Sequence, residues 1–194
     1  KNIKFEKDYS KKLEILVALL LTGLVFKEYE DNYEIALKGL ENLVKDFFDE
    51  DGFPKTRNPS DLIFFTKYLT ICKESIKDAQ KYMPEFLDDI VNKNLACIKN
   101  IQTPNNHLPL FNGGIEEDLK RFDKFIDENE FKTHSTEKNI GGIQKLKFKN
   151  SHVFFDIGSP PKKSFSKSYQ SGPLSFEYYL DGLKIINNCG FGKK

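Results

Sequence analysis

The spacing of apolar residues switches from steps of three and four to steps of two late in this chain, and no other feature limits its fold as strongly. From Tyr9 to Phe26 the apolar residues are dense enough for a helix buried on most sides. Asp31 or Asn32 then offers an N-cap for a second helix, striped by Ile35, Leu37, Leu40, Leu43, Val44 and Phe47. Asp51-Gly52 is expected to end it, and Pro54 prevents its continuation. A third helix starts at Asn58-Pro59-Ser60, where proline suits the first turn, and carries Leu62, Ile63, Phe65, Leu69 and Ile71 towards Ala79. Pro84 opens a fourth, with Phe86, Leu87, Ile90, Val91, Leu95 and Ile98 on one side. Short connections between such helices predict stacked antiparallel hairpins.

Gln102 to Gly114 interrupts this pattern with two prolines, three asparagines and two glycines, which reads as a structured loop. Ile115 to Asn129 is a charged amphipathic segment whose thin apolar face is Leu119, Phe122, Phe125 and Ile126. Beyond Gly141, Ile143, Lys145, Lys147 and Lys149 alternate with Gln144, Leu146 and Phe148, the period of a strand. A turn at Asn150-Ser151 leads to a partner strand, Val153 to Ile157, and Asp181-Gly182 centres a second hairpin of Phe176 to Leu180 and Leu183 to Ile186. The class is therefore α+β, with a helical part over 1–135 and the start of a sheet domain over 136–194.

Thirty Lys and Arg against 29 Asp and Glu leave a net charge of +1, so no global field draws the chain to nucleic acid or an anionic membrane. An anionic ligand must be held by a local cleft. The longest apolar run, Ile15 to Phe26, is shorter than the roughly 20 residues that cross a bilayer, so no membrane insertion is expected. Cys72, Cys97 and Cys189 are odd in number and have no CxxC spacing, which indicates neither a disulfide framework nor a structural zinc site. The glycines fall in neither GxGxxG nor GxxxxGK[ST] order, and no cofactor is expected.

Four strings then occur in a telling order: Asp51-Gly52-Phe53, Arg57-Asn58-Pro59, Leu108-Pro109-Leu110-Phe111-Asn112-Gly113 and Leu174-Ser175-Phe176-Glu177. In that order and spacing they resemble the heparinase II/III-like polysaccharide lyases. The resemblance implies a partial α/α toroid of helical hairpins followed by the first strands of an antiparallel β-sandwich. Since so few helices do not close a toroid, and the chain opens on Lys1, it also implies a segment of a longer protein. The activity implied is β-elimination of a uronate-containing acidic polysaccharide, and the setting implied is a bacterial periplasm or cell envelope.

Such a lyase must remove a proton next to a uronate carboxylate that resists further negative charge. The family uses a group that hydrogen-bonds the carboxylate, with a Tyr or His that takes the proton and returns one to the leaving oxygen. By resemblance Tyr169 and His107 are the candidates for proton transfer, and Arg57, Asn112 and Gln170 the candidates for substrate contact. Arg57 suits a bidentate grip on carboxylate or sulfate, its rival role being a partner for nearby carbonyls or Asp51. His107 stands among Asn105, Asn106 and Asn112, and the backbone around Asn112-Gly113-Gly114 could meet an anion. Lys162, Lys163 and Lys167 add a basic patch around Pro160-Pro161.

The departures from the family pattern are specific. Asp61 stands where the family's helix-borne Tyr is expected, Ser168-Tyr169-Gln170 replaces a His-X-His, and Asn188 replaces an Asp. Gln and Asn are weak zinc ligands, so no metal is expected at those positions. The replacements open an alternative on the same scaffold, a non-catalytic glycan-binding or envelope-polysaccharide biosynthesis protein. His134 and His152 are expected at the surface, and Glu177 as an outward-facing, solvated carboxylate.

Overall fold

The computed structural model describes residues 6–116, 119–128, 139–167, 169, 170, 172 and 174–189. Among the described residues five α-helices, α1 (Tyr9–Val25), α2 (Asp31–Phe47), α3 (Pro59–Asp78), α4 (Glu85–Ile101) and α5 (Lys120–Glu128), precede four strands. The strands are β1 (Ile143–Phe148), β2 (Ser151–Asp156), β3 (Phe176–Leu180) and β4 (Leu183–Ile186), paired antiparallel in the order β1-β2-β3-β4. This is an α+β architecture in which helical hairpins, as in part of an α/α toroid, lead into an antiparallel sheet. The boundary expected near residue 135 lies outside the described residues.

Local chemistry sets the helix ends. Asp8 caps α1, its carboxylate accepting from the backbone N–H groups of Ser10 at 3.0 Å and Lys11 at 3.3 Å. Asn58 caps α3 by accepting from the Ser60 N–H at 2.9 Å, with Pro59 in the first turn where no N–H is needed. The expected stop of α2 at Asp51-Gly52 is corrected: the helix ends at Phe47. Beyond it, Asp49 Oδ1 accepts from the N–H groups of Asp51 and Phe53 and closes a tight turn at Gly52, while Phe48 pairs with Pro54.

α1 and α2 pack as an antiparallel hairpin, and Gly23 permits their close approach, since a Cβ there would lie 2.5 Å from the Tyr33 nitrogen. Leu13, Leu16, Leu20, Leu40, Leu43, Phe65 and Leu69 form the centre of the core, with Phe47 stacked on Phe65 at 4.1 Å between ring centroids. Burial of these side chains supplies the main driving force, about 1.5–3 kcal/mol for each fully buried Leu or Phe.

One face of the sheet turns towards the helices and buries Ile143, Phe154, Asp156, Glu177 and Tyr179. On β1 the apolar parity points the other way: Leu146 is 53% and Phe148 72% exposed, whereas Lys145 and Lys147 lie on the inward parity of Ile143. Glu177 is therefore not the solvated carboxylate expected of it. It is fully buried, accepting from the Leu110 N–H at 3.1 Å and the Tyr179 hydroxyl at 2.8 Å, and pairing with Lys184 at 3.0 Å. A buried carboxylate persists only when so fully partnered.

Candidate functional site

Arg57 joins the two layers. Its backbone is left-handed, at φ 60°, and the Asn112 side-chain amide donates to its carbonyl at 3.1 Å. From that fixed point the guanidinium crosses to the sheet. Nε donates to the Gly141 carbonyl at 3.1 Å, and one terminal nitrogen donates to Gly158 at 2.9 Å and Ser159 at 2.8 Å. The other meets Asp156 in a buried ion pair. The rival reading of Arg57 as a partner for carbonyls thus describes its contacts, although Asp156 rather than Asp51 is its carboxylate. Four of its five N–H donors are committed to the protein, and the Asn112 amide nitrogen, by donating to the Arg57 carbonyl, positions it.

This clamp fixes where the segment after β2 departs. Beyond Ser159 the chain passes over the N-terminal ends of α1 and α3 and forms a short 3-10 turn, Lys163–Phe165, whose Phe165 ring lies 5.6 Å from that of Tyr9. Between this turn and the helix ends is a cleft of about 500 Å³, lined among others by Tyr9, Thr56, Asp61, Ser164, Phe165 and Lys167. Thr56 donates to Asp61 at 2.6 Å. Burial pushes the Asp61 carboxyl above its ordinary value; the Thr56 hydrogen bond opposes that rise, and the charge of Asp8 adds to it. Lys7, Lys11 and Lys167 also line the cleft, against Glu6, Asp8 and Asp61. Asp8 is occupied as a helix cap and lies 3.9 Å from the Lys167 ammonium.

The remaining sequence-derived candidates are dispersed. His107 lies in the 102–114 loop, where its backbone N–H donates to the Thr103 hydroxyl at 3.1 Å and its carbonyl accepts from that hydroxyl at 2.9 Å. Tyr169 follows the 3-10 turn, its N–H donating to Ser166 at 3.2 Å, and its hydroxyl is withdrawn from solvent without a partner among the described residues. Gln170 is exposed. Asp61, read in the sequence only as a departure, lines the cleft, while Ser168 and His134 lie outside the described residues. Gln170 and Asn188 carry amide side chains, which are weak ligands for zinc.

The arrangement of helical hairpins leading into an antiparallel sheet has counterparts among solved structures. It superposes on heparinase III with a TM-score of 0.71 and 14% identity, over 95% of this chain and 35% of that one. The fold is shared with heparinase III. The heparan sulfate lyase HepC from Pedobacter heparinus gives a TM-score of 0.75 at 15% identity, over 92% of this chain and 32% of that one. The heparinase III BT4657 gene product gives 0.72 at 13% identity, with the same coverage. The chain thus spans about a third of the length of the solved structures it matches. No family model matches the chain, and no curated protein sequence matches it.

Against that scaffold, sequence reasoning missed Tyr9, Thr56 and Phe165 as cleft residues. The available signals were Asp8 as a cap before Tyr9, and Thr56 immediately ahead of the Arg57-Asn58-Pro59 helix start. Each places a side chain at a helix N-terminus, where partial positive charge collects.

Proposed function

We propose that this chain binds an acidic, uronate-containing polysaccharide in the cleft between the N-termini of α1 and α3 and the Lys163–Phe165 turn. The observation that carries the reading is the position of that cleft: two helix N-termini, Lys7, Lys11 and Lys167 converge on it, in a fold shared with heparan sulfate lyases. Asp61, which would oppose an anionic sugar when ionised, is pushed by burial towards its neutral form, in which it donates a hydrogen bond. Binding without cleavage, in the handling or assembly of an envelope polysaccharide, is the form that fits best. A carboxyl stands where a proton-transferring phenol is expected, and the arginine nearest the cleft is already engaged.

The second reading is a divergent lyase in which Tyr169 removes the proton beside the uronate carboxylate. Its support is the Tyr169 hydroxyl, which has no partner among the described residues and follows directly on the cleft wall. His107 and Gln170 would then serve as proton donor and substrate contact.

Incubation with alginate and heparan-type polysaccharides, with binding and ultraviolet absorbance followed together, separates these readings. Saturable binding weakened by Lys167→Ala, with no rise from an unsaturated uronate, is the expected result. A rise that disappears in Tyr169→Phe would instead establish the lyase, and neither binding nor product with any polysaccharide would end both readings.

A further inference from the structure

The inward face of the sheet carries a second concentration of positive charge, away from the cleft at Asp61. Strand register sets Lys147 opposite His152, His152 opposite Tyr179, and Tyr179 opposite Lys184, so these four side chains form one row across the sheet. Lys145 occupies the next row on the same face, opposite Phe154 and then Glu177. Adjacent strands are about 4.8 Å apart, so Lys147 and His152 are immediate neighbours. The row lies at the β1–β2 turn, four residues along each strand from the Ile143–Asp156 pair, or about 13 Å from the Arg57 junction.

Three features distinguish this row from ordinary solvated lysines. First, His152 Nδ1 is shut off from solvent and has no hydrogen-bond partner among the described residues, a costly state for a ring nitrogen. Second, burial and then the charges of Lys145 and Lys147 work against protonation of its ring, so both lysines act directly upon it. Third, the nearest carboxylate on this face is saturated: Glu177 already takes the Leu110 N–H, the Tyr179 hydroxyl and Lys184. Glu116, whose charge reaches Tyr179, is the other acid felt on this face. Lys145 donates to the Gln102 carbonyl at 3.2 Å and keeps two further ammonium protons, while Lys147 is exposed.

We propose that Lys145, Lys147 and His152 form an anion subsite that takes a carboxylate or sulfate group of an acidic polysaccharide, separate from the cleft at Asp61. The assignment of the anion to a polysaccharide rests on the functional reading above; the site itself rests on the row. An anion there neutralises the two lysines and so lets the imidazole take up a proton. The ligand then bridges β1 and β2 beside the 102–114 loop that holds His107.

The test follows the His152 ring resonances by NMR while the protein is titrated with a sulfated uronate tetrasaccharide and, separately, with sodium sulfate, at ionic strength held constant with chloride. His152→Gln assigns the signal. Both titrations are expected to move it towards the protonated position, and Lys147→Gln, at an exposed site that leaves the fold intact, should weaken tetrasaccharide binding about tenfold. Tetrasaccharide binding with an unmoved His152 signal and no effect of Lys147→Gln would overturn the subsite while sparing the cleft. Sulfate binding at His152 without tetrasaccharide binding would remove the polysaccharide as its ligand, and silence with both anions would overturn the site altogether.

Discussion

Arg57 is the residue on which the fold turns. Its guanidinium and Asp156 form a pair almost without access to solvent, and three backbone carbonyls take three more of its donors. Removing the arginine strands a buried carboxylate whose second oxygen already lacks a partner among the described residues. Arg57→Ala should therefore cost about 3–5 kcal/mol, read as a fall in the urea midpoint, and Arg57→Lys should recover only part because one ammonium cannot span that set. Asp61 gives the opposite sign. Burial raises its carboxyl above the ordinary 3.8, so the folded chain binds more protons than the unfolded one as pH climbs from that value. Stability then falls through the window up to the raised value. Asp61→Asn should melt higher at neutral pH and show a shallower decline from mildly acidic to neutral conditions. Some slope will remain, because burial also raises Asp49. A variant that melts no higher at neutral pH would refute the account of Asp61 as a buried, disfavoured charge.

At the scale of elements, caps and periods carried most of the information, and they were readable. The Asn58-Pro59-Ser60 start of α3, the limits of β3 and β4, and the start of α1 at Tyr9 all follow from residues that act within one turn of themselves. Asn58→Ala should accordingly cost about 1 kcal/mol, measured by thermal unfolding, while retained stability would mean that α3 is held by packing alone. The end of α2 was misread because Asp51-Gly52 is a turn signal with two uses, a helix stop or the tip of a separate turn, and only the Phe48–Pro54 pairing decides between them. The facing of β1 was equally beyond local reading. Alternation fixes which residues share a face but not which face meets the helices, and pairing with β2 puts the lysine side of β1 on the buried face of Phe154 and Asp156. Glu177 was misjudged for the same reason, its partners lying on a loop far away in sequence.

Across the whole molecule the candidate site was legible only in outline. Arg57 and Asn112 were recognisable as special, yet their work is to bind protein, and this depends on carbonyls at Gly141, Gly158 and Ser159 that no spacing near residue 57 announces. The cleft at Asp61 exists because that long-range clamp brings the 159–167 segment over two helix ends. The same clamp bears on what happens when the polypeptide is divided. Arg57 and all four of its acceptors lie on opposite sides of any cut near residue 135. A helical piece made alone would keep an arginine with nowhere to go, and a sheet piece alone would expose Asp156, Glu177 and Tyr179. The two should behave as halves of a split protein, each poorly ordered in isolation and regaining sharp, protease-resistant structure on mixing. Two independently folded pieces that ignore one another in circular dichroism would contradict this.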